Sequence, residues 1–433
     1  MSIILALFFL TIFIFLSWRN LVWGAGIIIV LLPSYLWRLE IFPLPTTFLE
    51  LMIVSLFLVF LFKDQRYQRI NFSLAKNQNN LLPSVPRFLL LAWILASALA
   101  LLVNPTYGSL GLWRAYFLEP LMFFIVLLYS VKDKKDLKII INSLTLLIIW
   151  LFGLALYQNF SQWNYLPAYN FPNPKRITAI FSYPNALSLL TAPLAGFFAI
   201  FWLYQKKQRY NWVYILIAFL ALFLAFLALS QGAILAIVAS LFFYLILAKK
   251  VRKWGRPLVI LTLILAFIFG NIGYYLQKSW QEFKNPEINL SASSLEIRSD
   301  QWQETRAMLK DNFIFGAGLD GYQQAMRPYH QTSWLEIYLY PHNIFLNFWT
   351  ELGLFGLMVF LALMFYISFT LIFLFKEKNN LAWPLTLTWL IYFVHGLVDV
   401  PYFKNDLSVL FFLLLFLTIW AKENKGQTDI YQD

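Results

Sequence analysis

The chain has no cysteine among its 433 residues. That excludes disulfides, thiolate metal sites and a cysteine nucleophile. It is also poor in charge. Asp, Glu, Lys and Arg make up only 12% of it, about half of the roughly 25% usual in a soluble domain. There is no internal repeat, no low-complexity tract, and no G-x-G-x-x-G or P-loop motif. The first apolar run, 3–16, is followed by Ser17, Trp18, Arg19 and Asn20. It lacks a basic start and a small-residue cleavage site, so it reads as a retained helix and not a signal peptide.

What is present is apolar. Hydrophobic residues make up 61% of the chain and the mean hydropathy is +0.67. A run of about 20 apolar residues spans a bilayer as a helix, which satisfies its own backbone in lipid. Such spans are predicted near 2–18, 21–37, 45–62, 88–103, 114–130, 139–157, 186–204, 212–229, 233–248, 258–277, 352–375, 381–397 and 407–420. The first two can form a hairpin. The fold class is all-α: a polytopic transmembrane bundle of about 12–13 spans with a helical outer loop.

The formal net charge of +12 is not spread evenly. Lys63/Arg66/Arg69, Lys132/Lys134/Lys135/Lys138, Lys206/Lys207/Arg209, Lys249/Lys250/Arg252/Lys253/Arg256, Lys376/Lys378 and the tail Lys422/Lys425 fill alternate loops. By the positive-inside rule these loops are cytoplasmic. The excess is a topology signal and no nucleic-acid partner is expected. The C-terminus then lies inside and the N-terminus outside. The expected division is transmembrane helices over 1–277, a large outer loop with short helices over 278–350, the last transmembrane helices over 351–420, and a cytoplasmic tail over 421–433. The stretches 158–185 and 398–406 also face outward. A segment as long as 278–350 exceeds a connector, and loops on a rigid scaffold carry function.

The polar side chains concentrate on that outer side. In YPHNIFLNFWTELGLFGL (340–357), Asn343, Asn347 and Glu351 recur at i, i+4 and i+8, one stripe if helical, with His342 beside it. Gly353 and Gly356 permit close helix approach. An ionisable residue at membrane depth is costly and should face protein or a wet cavity. Taken singly, each of these polar residues could merely bond a neighbouring helix. With the histidine they point to a site.

In SLEIRSDQW (294–302), Arg298 precedes Trp302 by four residues and Arg306 by eight, again one helix face. A guanidinium holds phosphate oxygens bidentately and does not titrate away. An exposed Arg298 paired with Glu296 or Asp300 is the plain alternative. DNFIFGAGLDGY (311–322) marks a tight turn through Gly316, Gly318 and Gly321. FSYPNALS (181–188) starts a helix with Pro184 and Asn185, where Asn185 is either a cap or part of the site. HGLVDVPYFKND (395–406) carries Asp399 and Lys404, open between an ion pair and a site. In LWRAYFLEP (112–120), Arg114 is the obvious partner for Glu119.

PHNIFLNFWTELGLFGL resembles the signature of the O-antigen ligase and polymerase superfamily, roughly H-N-x-x-L…E-x-G-x-x-G. Arg298-x-x-x-Trp302, the F-G-x-G at Phe315, Gly316 and Gly318, and the F-x-x-P-N element at Phe181, Pro184 and Asn185 match it too. The resemblance is sharpest over 180–360. It implies a C-type membrane glycosyltransferase that moves a glycan from a polyprenyl (undecaprenyl) diphosphate carrier to an acceptor on the non-cytoplasmic face. It implies Arg298 and His342 as the essential pair.

One position departs from the family: where its members often carry Ser-Arg-Gly in an outer turn, LSQGA (229–233) has Gln231. Another cation then compensates, with Lys175, Arg176 and Arg114 as candidates, or diphosphate binding is weaker. The resemblance implies metal-independent transfer with no cofactor, and no D-x-D-type acidic pair stands at the outer helix ends.

In the mechanism this implies, Arg298 stabilises the diphosphate leaving group with Arg306 and Gln231 in support. His342 takes the proton of the attacking hydroxyl or orients the acceptor, tuned by Glu351 or Asn343, and the anomeric centre inverts. The expected partners are a lipid-linked glycan donor, a glycan, lipid or protein acceptor, and membrane lipids. Trp302, Tyr322 or Trp334 should border a glycan groove. Ligase, polymerase and protein glycosylation remain open, since acceptor choice lies in variable loops. A transporter or flippase is the more distant alternative. Repeat symmetry and helices interrupted near the midplane would mark one, and neither is visible.

Overall fold

The computed structural model describes residues 3–41, 44–63, 86–161, 163–164, 176–205, 212–248, 294–331 and 336–424. It is an all-α polytopic bundle, about 80% helical. The helices are α1 (Ile3–Arg19), α2 (Leu21–Val30), α3 (Phe48–Lys63), α4 (Arg87–Val103), α5 (Tyr107–Ser130), α6 (Lys134–Ser161), α7 (Pro184–Tyr204), α8 (Trp212–Leu227), α9 (Gln231–Leu247), α10 (Ser294–Asp311), α11 (Tyr322–Met326), α12 (Ile344–Lys376), α13 (Ala382–Gly396) and α14 (Asn405–Glu423). Among the described residues, α5, α6, α7, α12 and α14 are long and apolar enough to cross a membrane. The expected span at 258–277 and the basic clusters at 206–209 and 249–256 lie outside the described residues.

The span expected at 21–37 is shorter. Helix α2 stops at Val30, and Leu32–Leu36 is a 3-10 turn with Pro33 in its first positions. Proline lacks the N–H that would continue the helix. The chain then forms an antiparallel hairpin, β1 (Arg38–Ile41) with β2 (Leu44–Thr47), in which Arg38 pairs with Thr47.

Helices α7 and α14 are buried along nearly their whole length, as expected of helices that are apolar on all sides. Trp93 of α4 joins this core, its ring 6.1 Å from that of Phe411 and nearly parallel to it, with Phe117, Phe348 and Tyr402 around it. Helix α7 packs on α8 and α13, α12 on α4, and α14 on α5.

Helix α5 contains a π-turn at Arg114–Leu118. The extra residue per turn sets Arg114 and Glu119 together, Nε to Oε1 at 2.9 Å, and the same guanidinium meets Glu50 of α3. Asn405 donates to the other Glu50 oxygen at 2.7 Å.

Helix α12 reaches back to Ile344, ahead of the expected boundary at 351. It is broken in its N-terminal part. Gly353 stands at φ 70°, ψ −176°, an interruption that the apolar pattern did not reveal. The segment 313–321 lies in that break. Ala317 N–H donates to Thr350 O at 2.7 Å and Leu354 N–H to Ile314 O at 2.9 Å. A Cβ on Gly353 would run into Ile314 O, and one on Gly316 (φ 63°) into Thr350 O. Glycine at both positions is therefore set by close backbone approach and by the left-handed conformation.

Candidate active site

The site is built at one end of the bundle, where α12 begins. Asn343 caps α12, its Oδ1 accepting from Phe345 N–H at 3.0 Å and Leu346 N–H at 3.1 Å. It is the N-cap and not a helical member of the stripe with Asn347 and Glu351. Its Nδ2 donates to Leu397 O at 3.0 Å, which pins the helix start to the turn after α13. The residue before the cap, His342, takes φ 46°, an uncommon backbone state for a residue with a Cβ.

That turn of the chain aims the imidazole at Asp399, with Nδ1 3.5 Å from Oδ1. The spacing is an electrostatic contact rather than a well-formed hydrogen bond. The rings of Tyr340 and Tyr338 meet the imidazole edge-on at 4.7 Å and 5.2 Å.

Asp399 is the node of the cluster. Its side chain is 2% exposed, and its Oδ2 accepts from Asn185 Nδ2 at 3.1 Å. Asn185 Oδ1 accepts from Arg176 Nη2 at 2.9 Å, and Arg176 Nε donates to Ala228 O at 2.9 Å. A polar chain thus runs from the α8–α9 turn through Arg176, Asn185 and Asp399 to His342. Burial pushes the Asp399 carboxyl up. His342, His395 and the Val400 amide outweigh burial and hold it at about 2, so it is an anion at neutral pH. Burial, then Tyr183 and Asp399, push the Tyr340 phenol well above its ordinary range; it remains a neutral hydroxyl.

Arg298 is carried over this cluster by α10. Gln301 Nε2 donates to Tyr340 O at 2.7 Å and Trp302 Nε1 to Pro341 O at 2.8 Å. Both bonds tie α10 to the two residues preceding His342. Arg298 stands one turn before Trp302, and its charge reaches His395 in the last turn of α13. His395 in turn lies against the first turn of α9: a Cβ on Gly232 would be 3.2 Å from its ring. Gln231, exposed at the start of α9, stands beside it.

Other expected site residues are placed elsewhere. The carboxylate of Glu351 accepts from Asp320 N–H at 2.9 Å; the carboxylate paired with His342 is that of Asp399. Asn347 is buried one turn above Glu351 with no partner for its Oδ1 among the described residues. Arg306 is exposed and bonds its own helix at Trp302 O, 3.1 Å. Arg114 is held by Glu50 and Glu119, so it is not a spare cation for a diphosphate. Tyr322 is buried, its hydroxyl 2.8 Å from Thr305 Oγ1. Lys175 and Trp334 lie outside the described residues.

Two residues of the cluster were not singled out as site residues from the sequence. In the sequence Asp399 is open between an ion pair and a site, and nothing there gives His395 a role. A His and an Asp at i and i+4 closing an apolar span was the available signal.

Residues 216–361 match the family model of the O-antigen ligase. That stretch is about a third of the chain, and it supports placing the protein in the O-antigen ligase superfamily. It takes in Gln231, Arg298, Trp302, Arg306, His342, Asn343, Asn347 and Glu351. Arg176, Asn185, His395 and Asp399 fall outside it; of these, His395 joins the cluster only through the fold. No curated protein matches the chain. The O-antigen ligase match and the apolar helices together support an integral membrane protein similar to the O-antigen ligases.

Proposed function

We propose that the protein transfers a glycan from a polyprenyl diphosphate carrier, undecaprenyl diphosphate being the expected one, to an acceptor hydroxyl on the outer face of the cytoplasmic membrane. The observation that carries this reading is the His342–Asp399 pair, with Arg298 on the helix tied down just before His342. Nδ1 of His342 faces Asp399, which leaves Nε2 to take the acceptor's proton. Asp399, ionised and nearly out of water, stabilises the imidazolium that forms, as a buried carboxylate does beside a catalytic histidine. The acceptor oxygen bonds to the anomeric carbon as that carbon's bond to the diphosphate breaks, and the electron pair leaves with the phosphate oxygen. Direct displacement inverts the centre.

Arg298 and Arg176 supply positive charge to the departing diphosphate, and Gln231 a neutral hydrogen-bond donor. Arg176 takes the compensating role left open by Gln231, since its Nε is bonded to the turn that Gln231 ends. Trp302 holds α10 to the segment before His342, and Asn343 holds the start of α12 to the turn after α13. The topology that sets this end outward is the one expected from the basic loops.

The test is purified protein in lipid nanodiscs with a lipid diphosphate-linked glycan and a set of acceptors. Transfer with inversion is expected. His342→Ala and Arg298→Ala, each verified as inserted and monodisperse, should lose at least 100-fold in rate, within the range general acid–base and charge stabilisation supply. Carrier movement across the membrane without product, or full activity in His342→Ala, would overturn the assignment.

A further inference from the structure

A cavity of about 400 Å³ lies between α9, α12 and α13. Phe243 and Leu247 of α9, Leu371 and Phe375 of α12, and Trp383 and Leu390 of α13 are among its walls. It therefore sits toward the end of α12 opposite His342. Its two hydroxyls, those of Ser368 and Thr386, donate back to their own helices, to Met364 O at 2.9 Å and Ala382 O at 2.7 Å. Trp389 Nε1 is taken by Thr418 Oγ1 at 2.9 Å. What the lining offers is hydrocarbon and aromatic faces, which favour an apolar occupant.

The cavity is a groove, open to the side. Leu247 and Ile372 line it and are each 52% exposed, and such faces meet lipid in a bilayer. Phe393 is its last member on α13 toward the His342 cluster. There its ring stacks on Trp389 at 5.5 Å and meets that of the fully buried Phe360 at 6.5 Å. This aromatic packing separates the groove from the transfer site.

Depth and charge select among lipids. From Trp383 to Phe393 the groove follows ten residues of α13, about 15 Å of helix rise. That is half of the roughly 30 Å hydrocarbon core, the depth of one leaflet. At its rim Lys376 ends α12 directly after Phe375, and Lys378 follows; both are exposed. Glu377 between them offsets one charge, so the pair leaves a net positive rim. The topology expected from the basic loops makes this rim cytoplasmic, and the cytoplasmic leaflet carries anionic lipid that basic pockets between helices bind.

We propose that the groove between α9, α12 and α13 binds an anionic phospholipid of the cytoplasmic leaflet. One acyl chain lies along α13 from Trp383 to Phe393, and the phosphate meets Lys376 and Lys378. This inference does not depend on the glycan-transfer reading, since neither the groove nor its rim enters that mechanism.

Native mass spectrometry of the full chain in detergent reads the binding directly, with phosphatidylglycerol and phosphatidylcholine of identical acyl chains as probes. The first phosphatidylglycerol should bind at least 10-fold more tightly than the first phosphatidylcholine. Lys376→Gln with Lys378→Gln, both at exposed positions, should reduce that preference below 3-fold and leave phosphatidylcholine binding as it was. Ser368→Phe, which adds a ring to the groove from an exposed position, should weaken both lipids at least 5-fold. Equal affinity for the two lipids in the wild type, or a preference that survives loss of both lysines, overturns the anionic site. Undiminished binding to Ser368→Phe overturns the groove as its place, and no binding of either lipid overturns both. So does displacement of phosphatidylglycerol by equimolar polyprenyl phosphate, which would give the groove to the donor's chain, or a lipid-free dimer that Ser368→Phe disperses, which would give it to a second copy.

Discussion

The carboxylate of Glu351 in α12 accepts a hydrogen bond from the backbone N–H of Asp320 at 2.9 Å, joining the break in this long apolar helix to a surface loop. Around it, Trp349 Nε1 donates to Phe313 O at 2.8 Å and Ala317 N–H to Thr350 O at 2.7 Å. Farther out, Asn104 Nδ2 and Ser109 Oγ both donate to Leu319 O. The E-x-G element at 351–353 and the F-G-x-G at 315–318 are thus two halves of one clasp. It fixes the 313–321 segment against α12, while Gln301 and Trp302 tie α10, the helix that carries Arg298, to the two residues before His342.

If that is the role of Glu351, its charge is dispensable and its acceptor is not. Glu351→Gln keeps an oxygen for the Asp320 amide and should retain transfer within about 3-fold, with the pH–rate profile unchanged. Glu351→Ala removes this part-buried hydrogen bond and should lower stability by about 0.5–1.5 kcal/mol. Thermal unfolding and rate measured on the same preparations separate these outcomes. A collapse of rate in a stable Glu351→Gln protein would instead return this residue to the chemistry.

Gly353 bears on the same clasp through the backbone. Any side chain there meets Ile314 O and must also adopt φ 70°. Gly353→Ala should cost on the order of 1–3 kcal/mol for the strained backbone alone. The measurable consequences are a lower unfolding temperature and faster proteolysis of the 313–321 segment, since the loop must leave the break. Gly111, with nothing within 4 Å of an added Cβ, is the control: Gly111→Ala should be neutral or mildly stabilising.

These contacts also show how far the sequence carries. Apolar run length located almost every described span, because a helix in lipid must be long and greasy wherever it packs. Arg298, His342, Asn343 and Asn185 were legible as polar exceptions within that pattern. The breaks were not. Gly353 sits in an unbroken apolar run, and only the approach of a distant loop reveals that the helix opens there. The α2 span ended early at a proline that the hydropathy pattern alone does not register.

Nor does spacing tell partners apart. Glu351 lies on the stripe with Asn347, yet its hydrogen bond goes to Asp320. Asp399, more than 50 residues from His342 in the chain, is the carboxylate that faces it. Long-range pairing of buried charges leaves no periodic trace.

Asp399 should be measurable in two ways. Its folded-state carboxyl stands at about 2, below the ordinary 3.8. A depressed carboxylate contributes stability that is full above the unfolded value and is lost as pH falls through the folded one. The contribution is on the order of 2 kcal/mol. The wild type should therefore lose stability between about pH 4 and pH 2 more steeply than Asp399→Asn does, as followed by thermal unfolding across that range. At neutral pH Asp399→Asn should insert normally and lose about 100-fold in transfer rate, because the imidazolium is left without its counter-charge. Equal acid sensitivity in the two proteins would mean that the carboxylate is not held as described.

Gln231 supplies the last comparison. It is exposed at the start of α9, next to Gly232, where an added Cβ would be 3.2 Å from the His395 ring, and follows the turn whose Ala228 carbonyl holds Arg176. An added guanidinium at 231 would lie beside the charge already supplied by Arg176 and Arg298. A third cation near a diphosphate strengthens binding of the dianion, by a margin that shrinks as salt screens it. Gln231→Arg should therefore lower the KM for the lipid-linked donor about 3- to 10-fold at low ionic strength, with kcat little changed and most of the gain gone near 0.5 M salt. Arg176→Gln should move the donor KM the opposite way, and the double variant should recover toward the wild type if one positive charge at this turn is what the donor requires. A donor KM indifferent to both changes would place the diphosphate elsewhere and leave Arg176 as a strut between Asn185 and the α8–α9 turn.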